Sequence, residues 1–150
     1  MLTREAVAAA LALAGIRHGA AVLDLTPAAG LTRAALAMAG PAGSVDHPPV
    51  PSEVRSRYAY VLGVWSDRDG VAAIAEARRQ LRGAAPGARV VVGSIGALPV
   101  LLDGMRAAGW TVLHATAVDE GAITDSGDGQ LAFAVARLPA QARSRRGSAA

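Results

Sequence analysis

Residues 21–30 read A-V-L-D-L-T-P-A-A-G, and their order is the strongest chemical signal in the chain. An apolar run ends in Asp24, a tight turn follows, and a helix starts after Gly30. α/β proteins place a nucleotide-like ligand in the crevice beyond the carboxyl end of such a strand. Asp24 at that point can order the turn by accepting backbone amides. Thr26, Ser66 and Ser94 each sit at the carboxyl end of an apolar run and are expected to face the same crevice. Small hydroxyls placed there bind a ligand or cap the next helix. His47, between Asp46 and a proline pair, borders the crevice as a proton-transfer candidate or as an exposed loop histidine.

The turn itself is poor in glycine. A loop that cradles phosphates or a nucleoside uses several glycines, because they adopt positive φ and let the backbone approach without a Cβ. Here Gly30 alone remains. Thr26 is β-branched, Pro27 has no amide to donate, and Ala28 adds a methyl where close approach is needed. One strained position costs on the order of 1–3 kcal/mol, so the sequence predicts weakened ligand binding.

The composition excludes several chemistries. The 150 residues fit one domain, and 52% are hydrophobic while only 3% are aromatic, so the core must be aliphatic. Cysteine is absent and His18, His47 and His114 are scattered, which leaves no expected metal site. Every cation is arginine, which rules out Schiff-base and lysine-base chemistry. Residues 1–137 hold twelve arginines against twelve acids, so the net charge of +3 rests on Arg143, Arg145 and Arg146. That balance argues against a specific nucleic-acid face on the body, and residues 139–150 read as a disordered arginine-rich tail. The apolar start is too short to span a bilayer and lacks a cleavage pattern, so a cytoplasmic protein is expected.

The elements that must position these residues follow from caps and periodicity. Thr3 can cap a helix through Ala14 with Val7, Leu11 and Ala14 inward, stopped by Gly15. A strand at Ala21–Leu25 and a helix at Leu31–Ala39 come next. Ala42–Arg57 is irregular and proline-rich, with room for a short strand at Ser44–Asp46. Tyr58–Val64 is a strand, and Asp69 caps a helix through Arg82 with Val71, Ile74 and Leu81 inward. A buried strand at Ala88–Val92 and a helix at Ala97–Ala108 precede two strands, Thr111–Val118 and Leu131–Arg137, joined by the acidic segment Asp119–Gln130. Such alternation predicts an α/β, Rossmann-like fold: a mainly parallel sheet with one antiparallel strand.

V-L-D-L at Val22–Leu25, R-Y-A-Y-V-L-G-V-W from Arg57, the helix-to-strand run D-G-V-A-A-I-A-E-A-R-R-Q-L-R-G-A-A-P-G-A-R-V-V-V, G-M-R-A-A-G-W-T-V and L-A-F-A-V-A-R occur in a telling order. In that order the chain resembles the class I S-adenosylmethionine-dependent methyltransferases over residues 5–138. The resemblance implies S-adenosylmethionine as cofactor, held by Asp24, Thr26, Ala28, Gly30, Asp46, Trp65 and Ser66. It assigns Asp24 to the cofactor's amino group, Asp46 to its ribose hydroxyls, and makes Asp67 and His47 the catalytic candidates, Asp67 as general base. T-P-A-A-G departs from the family's G-x-G-x-G, and Gly40 to Tyr58 is too short for two strand–helix units, so part of the second and third strand region is expected to be missing.

Two functions compete. One is a methyltransferase-like protein impaired in cofactor binding that acts as a non-catalytic assembly partner, forming a homo-oligomer or docking a protein through an uncovered sheet edge. The other is an active methyltransferase on a small molecule. A phosphorelay receiver is excluded, because its chemistry needs a strand-end Asp where Val64 and Trp65 stand, and a lysine. A nicotinamide-binding domain is excluded because no G-x-G-x-x-G follows the first strand.

Overall fold

The computed structural model describes residues 2–50, 57–82, 84, 86–119 and 130–139. Helix α1 (Arg4–Ala14) opens where Thr3 Oγ1 accepts the Ala6 amide at 3.2 Å, and it stops at Gly15, whose φ is +61°. Its buried face is Ala6, Ala10, Leu11 and Ala14, while Val7 is only half-buried. Alanine at every fourth position brings the helix axis close to the sheet, and Ala6 and Ala10 join the expected Leu11 and Ala14 in the buried stripe.

Strand β1 (Ala21–Asp24) leads into a single 3-10 turn at Pro27–Ala29 and then α2 (Thr32–Ala39). A three-residue strand, β2 (Ser44–Asp46), follows. Strand β3 (Tyr60–Asp69) runs five residues beyond the expected end at Val64. Asp69 then caps α3 (Gly70–Gln80), its Oδ1 accepting the Ala72 amide at 2.8 Å. The remaining elements are β4 (Arg89–Ile95), α4 (Leu98–Ala107), β5 (Thr111–Asp119) and β6 (Gln130–Arg137).

These strands form one sheet in the order β2-β1-β3-β4-β6-β5. β1, β2, β3 and β4 are mutually parallel, and β6 pairs antiparallel with both β4 and β5. The expected mainly parallel sheet with one antiparallel strand is therefore present. Among the described residues a single strand, β2, lies outside β1, and the short strand expected at Ser44–Asp46 is that strand.

Two apolar layers cover the sheet. α1 and α2 pack on one face against Val22, Leu62, Val64, Val91 and Phe133. α3 and α4 pack on the other against Leu23, Val61, Trp65, Val90 and Val92. In α3 the inward residues are Ala73, Ile74 and Ala77, with Leu81 just beyond, whereas Val71, expected inward, is 66% exposed. Gly70 sets this rotation: a Cβ on it would stand 3.0 Å from the Leu101 backbone, so α3 and α4 meet at backbone distance there. His114 lies on the edge strand β5, exposed and next to a register shift. No helix among the described residues is long and apolar enough to cross a membrane. Residues 140–150, nearly all of the expected tail, and residues 120–129 of the acidic segment lie outside the described residues.

Candidate functional site

β1 ends at Asp24 beside Leu62 of β3, and the turn after β1 continues along the longer β3. Leu25 extends the ladder by donating its amide to the Leu62 carbonyl. The next rung is made by a side chain, for Thr26 Oγ1 accepts the Val64 amide at 3.1 Å. Thr26 is 2% exposed, so its β-branch serves as a plug between two strands.

Asp24 is fully buried and its carboxylate is consumed by the turn. Oδ1 accepts the Thr26 amide at 3.0 Å, and Oδ2 accepts the Leu31 amide at 3.0 Å and the Thr32 hydroxyl at 2.8 Å. A buried carboxylate is tolerated when its lone pairs are filled in this way, each bond being charge-assisted. Of the two readings open for Asp24, this is the loop-ordering one.

The turn's backbone corrects one expectation. Thr26 has φ −60°, an ordinary value, and Gly30 has φ −61°. Positive φ falls instead on Ala28 (+59°) and Ala29 (+55°). The turn thus adopts left-handed geometry with two consecutive alanines, while its one glycine sits in the right-handed region. Gly30 is held by space, since a Cβ there would meet Thr26 Cγ2 at 3.0 Å.

Beside this turn lies a cavity of about 540 Å³ lined by Leu2, Thr26, Pro27, Ala28, Gly30, Val64 and Ser66. Four of the expected site residues, Thr26, Ala28, Gly30 and Ser66, come together here. Leu2 and Val64 were not among the expected site residues, and Pro27 was noted only for its missing amide; Leu2 arrives because it packs with the layer under α1. Among the described residues, none that lines the cavity is charged.

The other expected site residues lie elsewhere. Trp65 is 3% exposed in the core beneath α3 and α4, its ring lying over Gly63 on the face away from the cavity. Ser94 pairs in register with Trp65 and Ala132 and shares that face; its buried Oγ has no hydrogen-bond partner among the described residues. Asp67 is exposed on the outer end of β3 and does not line the cavity. Asp46 ends β2 as expected, but its Oδ2 accepts the Tyr58 hydroxyl at 2.6 Å. Burial and that bond push the Tyr58 phenol up to about 12. His47 Nδ1 lies 2.8 Å from the Asp24 carbonyl, outside the cavity lining. A carbonyl only accepts, so Nδ1 carries the proton and the ring ties the end of β2 to β1. No group of three or more His, Asp or Glu among the described residues is placed to hold a metal ion.

Solved structures share this architecture. A SAM-dependent methyltransferase from Aquifex aeolicus superimposes with TM-score 0.64 at 13% identity, over 91% of this chain and 90% of that one. A putative methyltransferase from Bacillus halodurans gives TM-score 0.60 at 12% identity, over 89% of this chain and 99% of that one. The [4+2]-cyclase SpnF gives 0.57 at 14% identity, covering 90% and 80%. No family model and no curated protein sequence matches the chain. The protein has the class I S-adenosylmethionine-dependent methyltransferase fold. At these identities the likeness concerns the fold alone, and the cyclase among the neighbours illustrates why activity must be argued from the site.

Few polar groups of this site stand free to meet S-adenosylmethionine. Its zwitterionic amino acid and ribose diol need charged or amide partners. Pro27 has no amide, and those of Thr26 and Leu31 are bound to Asp24 and that of Ala29 to the Thr26 carbonyl. Ser66 and Thr26 contribute the polar side-chain atoms of the cavity wall, and Thr26 is already engaged.

Proposed function

We propose that this protein is a non-catalytic methyltransferase-fold protein with a weakened cofactor site, acting as an assembly partner. The observation that carries the reading is the state of Asp24. The acid that the resemblance assigns to the cofactor's amino group spends its oxygens on Thr26, Leu31 and Thr32 instead. Neither catalytic candidate reaches the cavity: Asp67 is exposed beyond it, and His47 is committed to the Asp24 carbonyl. A general base must come within hydrogen-bond reach of the proton that it removes, and the described residues of the cavity wall include no such group.

The assembly half of the proposal rests on the sheet edge. β2 has three residues, Ser44 and Asp46 are exposed, and its outer side has no strand partner among the described residues. Leu36, 46% exposed, stands beside it in an open groove with Arg33, Ala37, Gly40, Pro41 and Gly43. An uncovered edge with an apolar neighbour favours pairing with a second copy or another protein.

Sedimentation across the micromolar range, with melting in excess S-adenosylhomocysteine, tests both halves. The reading predicts association and an unchanged Tm, because a ligand stabilises only in proportion to its binding of the native state. A strictly monomeric protein whose Tm rises with the ligand would favour the active methyltransferase instead.

A further inference from the structure

The near-neutral charge total of residues 1–137 hides a separation by ends. Acids gather where the parallel strands finish: Asp24, Asp46, Asp67, Asp69 and Asp119 end or follow strands, and Glu5 opens α1 at the same end. The other two acids among the described residues, Glu76 and Asp103, lie mid-helix, each beside an arginine. Eight of the eleven described arginines lie at the opposite end, while Arg4, Arg33 and Arg68 lie with the acids. Arg17 and Arg57 precede β1 and β3, Arg89 opens β4, Arg137 closes the antiparallel β6, and Arg78, Arg79, Arg82 and Arg106 mark the ends of α3 and α4.

Helix dipoles explain only part of this. Arg78, Arg79 and Arg106 lie in last turns, where a cation offsets the helix's negative end. Arg17, Arg57, Arg89 and Arg137 lie outside helices. Arg89 and Arg137 stand directly opposite each other in the β4–β6 register, a like-charge pairing that costs stability. The Arg89 guanidinium lies 3.5 Å from where a Cβ on Gly15 would be, so it reaches under the end of α1 toward the segment carrying Arg17. Arg17, Arg78, Arg82, Arg89 and Arg137 have no ion-pair partner among the described residues. All but Arg89, which is half-buried, are exposed. Arg78, Arg79 and Arg82 also line a shallow depression of about 550 Å³. Leu138 donates its amide to the Ala88 carbonyl at this same end.

We propose that this arginine-rich end docks the phosphodiester backbone of a nucleic-acid duplex without reading sequence. Guanidinium is the cation matched to phosphate in two-point hydrogen bonding. A protein partner needs apolar anchors at the contact, and Val71 and Val100, two of the three large exposed apolar residues among those described, lie in the first turns of α3 and α4 at the other end. The third, Leu36, stands beside β2 at the sheet edge. A single strand needs exposed aromatic rings for stacking, and all five aromatic residues are buried. Backbone contact to a duplex needs neither.

The test is fluorescence anisotropy of the full chain with a labelled mixed-sequence DNA duplex over a salt series. Binding should weaken linearly in log salt. The variant Arg89→Gln/Arg137→Gln should make that slope shallower by roughly 2, one unit per lost phosphate contact. Arg4→Gln/Arg33→Gln, an equal charge change at the opposite end, should leave the slope unaltered. If the strand variant melts early, Arg17→Gln/Arg82→Gln, outside the regular elements, makes the same comparison. No binding at low salt, or equal slope changes from both ends, would overturn the proposal. So would poly-glutamate competing better than unlabelled duplex, an outcome that would assign the surface to an acidic protein.

Discussion

At the scale of single residues, the turn after β1 is held by three devices with separate signatures. Asp24→Asn exchanges an acceptor of three bonds for a group that turns an NH₂ toward donors. About 2–4 kcal/mol of stability should be lost, read from urea unfolding. The left-handed alanines make the opposite prediction. Each costs about 1–2 kcal/mol relative to glycine in that conformation, partly offset by glycine's greater freedom when unfolded. Ala28→Gly/Ala29→Gly should therefore raise stability by about 1 kcal/mol without creating cofactor affinity, because the amides stay bound to Asp24 and Thr26. A gain in S-adenosylmethionine binding by that variant would show that backbone conformation, and not missing polar partners, limits the site. Tyr58 gives a pH signature. Its phenol holds its proton up to about 12 when folded, against 10.0 unfolded. Between those values the native state binds the proton more tightly, so stability is complete below pH 10 and falls as pH rises toward 12. Tyr58→Phe should remove that alkaline loss from the stability profile.

At the scale of elements, close approach through glycine organises the layers. A Cβ on Gly70 would press on the Leu101 backbone at 3.0 Å, and one on Gly104 would meet Ile74 at 3.2 Å. Gly70→Ala must push α3 from α4, at a cost of about 1–3 kcal/mol in thermal or urea unfolding, whereas Gly87→Ala, with nothing within 4 Å, tests only its φ of +78°. Element identities were legible because caps and breakers mark their own ends: Thr3, Asp69 and Gly15 act where expected. The buried faces of α1 and α3 were less legible. Periodicity weights large side chains, but Ala6, Ala10, Ala73 and Ala77 do the burying, since small residues permit the tight approach that these faces use. The length of β3 was misjudged for a related reason. Its last four residues, Ser66–Asp69, are polar and half-exposed, a pattern that reads as loop although β4 still pairs Ser94 with Trp65 and Ile95 with Asp69.

At the scale of the whole molecule, sheet topology converts a sequence of alternating elements into two ends of different charge. The sequence told the fold, because each strand–helix unit returns the chain to the same side of the sheet. It told half of the site: Thr26, Ala28, Gly30 and Ser66 converge, while Trp65 and Ser94 alternate onto the other face. A strand's period of two decides which of adjacent residues meets a crevice, and a register error of one residue reverses the answer. Charge totals hid the separation of acids from arginines, which exists only once the strands are set in parallel. The fold keeps a cavity beside the turn after β1, and the nearby Asp24 carboxylate bonds to that turn and to Thr32. Calorimetric titration of the unmodified protein with S-adenosylmethionine tests the proposed weakening of the cofactor site most directly. The account predicts no saturable heat up to millimolar ligand; a single site of micromolar affinity would contradict it and make the cavity a working cofactor site.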